Sequence, residues 1–137
     1  MTGILTRTGI VLLAIFFDLA TCVLVAAAIA LLWPGTAFDL IWLLRPDRRL
    51  LLMPYRLWLG PLFLLFVIPA ALASYGFFLK KPWVLQLAIA IFAANGLGDA
   101  LQMARGHPWE GALGVSLVGL LLLFLTSPTV RAEFERT

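Results

Sequence analysis

Apolar and polar positions alternate along this chain in blocks. Four long apolar runs, at about residues 10–33, 57–79, 83–104 and 109–126, are separated by short polar stretches. A bilayer-spanning helix needs about 17–25 mostly apolar residues, and each run is near that length. In hydrocarbon a backbone must satisfy its own hydrogen bonds, so runs of this kind predict helices. Trp33, Trp58, Trp83 and Trp109 stand at run ends, where aromatic belts form. The predicted fold class is all-α: a single polytopic membrane domain of four transmembrane helices.

The connections differ. Residues 80–82 (Lys-Lys-Pro) and 105–108 (Arg-Gly-His-Pro) are tight, which makes consecutive helices antiparallel neighbours. Residues 34–56 are too apolar for water and too charged to span. Thr36 with Asp39 three residues later resembles a capping box, and Pro46 should end the helix it starts. This segment is expected to form short interfacial helices, with Arg45, Arg48, Arg49 and Arg56 toward lipid phosphates. After residue 126, Ser127 as N-cap and Pro128 at the first helical position predict a short C-terminal surface helix. Its Val130 and Phe134 would dip toward the membrane, with Arg131, Glu133, Glu135 and Arg136 toward water.

Composition strengthens this picture. Of 137 residues, 63% are hydrophobic and 12% charged, with a mean hydropathy of +1.03, whereas a soluble domain is about half apolar and about a quarter charged. The first run is about twice the length of a signal-peptide core and is interrupted by Asp18, which argues against cleavage. Basic residues do not orient the chain. Arg7, Lys80, Lys81, Arg131 and Arg136 fall on one side, and Arg45, Arg48, Arg49, Arg56 and Arg105 on the other. The expected location is a bacterial inner membrane, with both termini cytoplasmic.

Small residues recur every four positions at Ala90, Ala94 and Gly98, and again at Ala112 and Ser116 with Gly119 beyond. Such spacing lets helix backbones approach closely, so the third and fourth runs should form a tight hairpin, and the same stripes suit contacts between subunits. The polar groups inside the runs are Asp18, Gln86, Asn95, Asp99 and Gln102. Ionisable groups in membranes are functional hypotheses by default. At 1.5 Å per residue, Asp18 lies about 12 Å into its run, Asn95 about 18 Å and Asp99 about 24 Å into theirs. No run offers Asp18 a buried Lys or Arg. It is therefore protonated with a raised pKa, bonded to a polar group such as Asn95, or set against a partner chain.

Little else carries chemistry. The lone Cys22 forms no internal disulfide and reads as a packing residue. The single histidine, His107, makes no zinc site and no catalytic triad; an axial ligand role toward a haem or pigment is its one cofactor reading. No phosphate loop or nucleophile elbow occurs. The expectation is a non-enzymatic protein with no metal and with bound lipid. Its partners would be membrane lipids and other membrane subunits or itself, and not nucleic acid.

Two resemblances add to this. The pattern Trp83, Asn95-Gly96-Leu97-Gly98-Asp99, Gly106, Gly111, Gly114 and Ser127-Pro128-Thr129-Val130-Arg131-Ala132-Glu133-Phe134 resembles uncharacterised small bacterial membrane proteins whose last helices end in a Pro-x-Val-Arg-x-x-Phe tail. It covers roughly the last 55 residues and implies a fold without an activity. The chain also resembles the small multidrug resistance exporters, four short helices with one acid in the first, which implies proton-coupled export through Asp18. Those proteins use glutamate and short loops; here the acid is aspartate and residues 34–56 are long. The leading expectation is an accessory or structural subunit of a larger membrane assembly. The alternatives are a small proton-coupled exporter and a lipid- or quinone-binding protein.

Overall fold

A computed structural model describes residues 2–135. Among these the chain is helical throughout, without strands: α1 (Thr2–Leu32), a 3-10 helix (Ala37–Leu44), α2 (Pro46–Leu52), a second 3-10 turn (Met53–Tyr55), α3 (Arg56–Phe78), α4 (Trp83–Ala104), α5 (Pro108–Thr126) and α6 (Pro128–Glu135). Four helical stretches are long and apolar enough to cross a membrane. They bury little of themselves: 28% of the most apolar window of the first stretch, and 11% of that of α5. Their apolar side chains therefore point outward, which suits an apolar surrounding and not water.

α1 starts eight residues before the apolar run. Its 31 residues make a helix about 46 Å long, against a hydrocarbon core of about 30 Å. The extra turns carry Arg7, and Asp18 becomes a mid-helix residue. α3 runs through Pro61 and Pro69 without a break, a substitution pattern that membrane helices tolerate.

The chain forms two compact units. One comprises Met1–Leu12 with Tyr75–Thr137, the other Leu13–Ser74. In the second unit, Ala27, Ala30 and Leu31 of α1 bury Trp42 of the 3-10 helix, with Ile41, Leu52, Leu59 and Phe63 packed around them. Here α1 meets α3 closely. A Cβ on Gly60 would strike the side chain of Leu32, and the buried Ser74 hydroxyl donates to the Ala14 carbonyl at 3.2 Å.

The 34–56 segment departs from its expected form. Thr36 is the N-cap by position, but its side chain makes no cap bond and donates to the Trp33 carbonyl instead. Asp39 reaches back one residue further than a capping box requires, accepting from the Gly35 N–H at 2.9 Å. The helix is 3-10, whose side chains at i and i+3 eclipse. That puts Asp39 and Trp42 in one inward row while Leu40 and Leu43 are exposed. Pro46 ends this helix and opens α2.

In the first unit, α4 and α5 pack closely along their length. Phe77 of α3 meets Phe134 of α6 edge-to-face, with ring centres 6.0 Å apart. α6 starts as expected: the Ser127 hydroxyl accepts from the Val130 N–H. Val130 and Phe134, expected to dip into a membrane, are instead buried within the protein, each 1% exposed. The Arg136 expected on the polar face of this helix lies outside the described residues.

Candidate functional site: polar groups of the apolar helices and charged helix ends

The α4–α5 hairpin is built on glycine, but not on the expected stripes. Ala90, Ala94 and Gly98 are exposed, and nothing approaches a Cβ placed on Gly98 or Gly119 within 4 Å. Ala112 is half-buried and Ser116 exposed. The close approaches fall on the neighbouring rows. A Cβ on Gly96 would meet Val118, one on Gly111 would meet Met103 and the Asp99 backbone carbonyl, and one on Gly114 would meet the Asp99 carboxyl group. The expected α4 stripe follows a strict four-residue step, and the expected α5 stripe lies one or two positions off the row that packs. The actual seam mixes steps of three and four, as packed antiparallel helices do. The signal that was missed is the pairing of Gly111 and Gly114 with the bulkier Asp99 and Met103 across a short turn.

The polar set of the apolar runs is thereby divided. Asp99 is half-buried in the hairpin seam, over the gap that Gly114 leaves, and Gln102 is half-buried one turn on. Asn95 is exposed on α4. Asp18 is exposed in its own unit, among exposed Ile15, Phe16, Leu19 and Val23. Among the described residues, no hydrogen bond or ion pair reaches Asp18 or Asn95. Cys22, one turn beyond Asp18 on the same helix face, is also exposed.

The four arginines of the 34–56 segment do not act alike. Arg49 is tied to Asp39, with Nη2 to Oδ2 at 3.0 Å, which withdraws it from the expected headgroup set. Arg45, Arg48 and Arg56 remain exposed. Two buried polar atoms of this segment, Asp39 Oδ1 and Trp42 Nε1, have no hydrogen-bond partner among the described residues. Trp33, Trp58, Trp83 and Trp109 are all exposed, as belt residues would be, whereas Trp42 is core.

A charged cluster that sequence reasoning assigned to water closes one end of the first unit. Glu133 of α6 is half-buried, and its Oε1 accepts from Lys80 Nζ at 2.9 Å and from Arg7 Nε at 3.0 Å. The start of α1, the α3–α4 turn and α6 thus share one end. The hydrogen bond from Lys80, together with the charges of Lys80 and Arg7, holds the Glu133 carboxyl below the ordinary glutamate range. At the opposite end of α4, His107 is the N-cap of α5 and is exposed. Its carbonyl accepts from the Gly111 N–H and its own N–H donates to Gln102, so its backbone is used in the turn. Among the described residues no group of three or more His, Cys, Asp or Glu side chains is placed to hold a metal ion.

No protein-family model matches this chain, and no curated protein or solved structure matches it either.

Proposed function

We propose that this chain is a multi-pass protein of a bacterial inner membrane and serves as a non-enzymatic accessory or structural subunit, with both termini cytoplasmic. The carrying observation is Asp18, an acid in the middle of the most apolar helix, exposed and without a partner among the described residues. Placing an acid at the centre of a bilayer costs about 2.5–3.5 kcal/mol on insertion scales. A second chain that supplies a hydrogen-bond donor would offset that cost. The open small-residue face of α4, Ala90, Ala94 and Gly98, supports the same reading, because it lets another helix approach closely. Residues 34–56 would lie in the headgroup region, with Leu40, Leu43, Leu44, Leu50 and Leu51 toward the acyl chains and Arg45, Arg48 and Arg56 toward phosphates.

The test is extraction from the native membrane in a mild detergent, followed by mass spectrometry of what co-purifies and by cross-linking from Cys22. A stoichiometric larger complex, cross-linked at Cys22 to a foreign chain, is the expected result. A lone homodimer would sink the accessory role. It would favour the exporter reading, under which Asp18→Asn abolishes proton-coupled transport.

A further inference from the structure

The first unit carries a cleft of about 230 Å³ between the first turns of α4 and the outer face of α6. Pro82, Leu85, Gln86 and Ile89 line one wall, and Arg131, Phe134 and Glu135 the other. The α4 wall is a single stripe at i, i+3, i+4 and i+7, so the cleft continues along the helix from its start toward its middle. Leu85 and Phe134 are buried, and Ile89 is half-buried. The floor is apolar, while Gln86, Arg131 and Glu135 are exposed polar groups.

The two charges of the rim are free. Arg131 and Glu135 are one turn apart on α6, a spacing that suits an ion pair, yet no ion pair joins them and neither has another partner among the described residues. The other acid of this end, Glu133, is already committed to Lys80 and Arg7. The cleft thus offers one positive and one negative group about a helical turn apart, above an apolar groove. It also opens beside the N-terminus of α4, where no acid stands in the first turn and no side chain caps the helix, the Val84 and Leu85 N–H groups being bonded to the Lys81 and Pro82 carbonyls. That end of a helix favours an anion.

We propose that this cleft binds the headgroup of a zwitterionic aminophospholipid of the phosphatidylethanolamine type. The phosphate lies against Arg131 and the α4 N-terminus, the primary ammonium donates to the Glu135 carboxylate, and the Gln86 amide reaches the glycerol ester region. One acyl chain follows Leu85 and Ile89 along α4. The volume suits a headgroup and not a whole lipid, so the chains leave along the helix surface. A purely anionic headgroup satisfies Arg131 but brings its charge to Glu135. A trimethylated headgroup keeps the positive charge but has no N–H to donate. The proposal rests on the membrane-spanning reading of the chain and not on the accessory role.

The experiment uses the full chain, purified in a mild detergent, incubated with equimolar phosphatidylethanolamine, phosphatidylcholine and phosphatidylglycerol of matched acyl chains, and read by native mass spectrometry. Phosphatidylethanolamine should be retained over each of the others by about tenfold, the effect of one charge-assisted hydrogen bond. Glu135→Gln should erase the preference over phosphatidylglycerol while lipid is still retained. Arg131→Gln should lower retention of all three. Neither variant touches Val130 or Phe134, which dock α6, and an unchanged elution volume verifies that both fold. Equal retention of the three lipids by the unaltered chain overturns the proposal and leaves the membrane reading standing, as does a preference for phosphatidylglycerol. A chain that needs no detergent and retains no lipid overturns both.

Discussion

The two ends of α4 turn the chain in the same way with different residues. After α3, the Lys81 N–H bonds the Gly76 carbonyl and the Lys80 N–H bonds that of Phe77. After α4, the His107 N–H bonds Gln102 and the Gly106 N–H bonds Met103. Both are Schellman closures, and both place the residue past the cap in the left-handed region: φ is 50° at Lys80 and 98° at Gly106. Glycine takes that conformation without steric cost, while a side chain pays about 1–2 kcal/mol. Lys80 is the unfavourable choice for the backbone, and its side chain explains it, because its ammonium holds Glu133. Among the described residues the α4–α5 end has no such ion pair. Its helices approach closely where Gly111 and Gly114 face Asp99 and Met103. One end is a charged latch on a strained turn; the other is an unstrained turn on a glycine seam.

The largest effect is expected at the seam. Gly111→Ala places a methyl group against the Asp99 carbonyl and the Met103 backbone, which cannot rotate away, so it should cost about 1–3 kcal/mol. Gly114→Ala meets the Asp99 carboxyl instead, a side chain that can move, and should cost less. Thermal unfolding in detergent, followed by the accessibility of a cysteine placed in α5, measures both. Next comes the turn itself: Gly106→Ala should lose about 1–2 kcal/mol from its left-handed conformation. Lys80→Gly should relax the backbone but free the end of α6, whereas Lys80→Met loses the latch and keeps the strain. If Lys80→Gly proves the less stable of the two, strain at Lys80 is not what distinguishes the turns.

Acid should act on the latch. The Glu133 carboxylate is favoured in the folded chain, so its pKa is lowered. Its contribution is then present above the ordinary value of 4.5 and is lost as pH falls below it through the lowered value. Proteolysis within α6 should accelerate across that window, and Glu133→Gln should remove the pH dependence. The smallest effect is expected on the outer row. Gly98→Ala, with nothing near its Cβ, should leave the isolated chain unchanged or slightly stabilised. A loss of assembly in the native membrane from that same change would mark the row as a contact with another chain.

Much of the fold was legible in residue order. Run length and hydropathy predicted four helices, and the α4 and α5 boundaries are reproduced within a residue. Ser127 and Pro128 predicted the start of α6. The first boundary failed because Gly3 to Gly9 are not apolar enough to read as part of a span, yet they continue the helix toward Glu133. The small residues were seen, but their face was not. Ala90, Ala94 and Gly98 have the right spacing and lie on the outside. Hydropathy reports that a helix prefers an apolar surrounding, and it is blind to whether lipid or protein supplies it.

The sequence by itself determined the helices and their apolar character, since backbone bonding within a helix is local and transfer to an apolar medium sums over residues. Only the tertiary structure decided which glycines form the seam, that Arg49 belongs to Asp39, and that Glu133 is a latch and not a solvated charge. Those choices join residues as much as 126 positions apart. They depend on helix rotation, which a rotation of about 100° per residue fixes only when a neighbouring helix is in place.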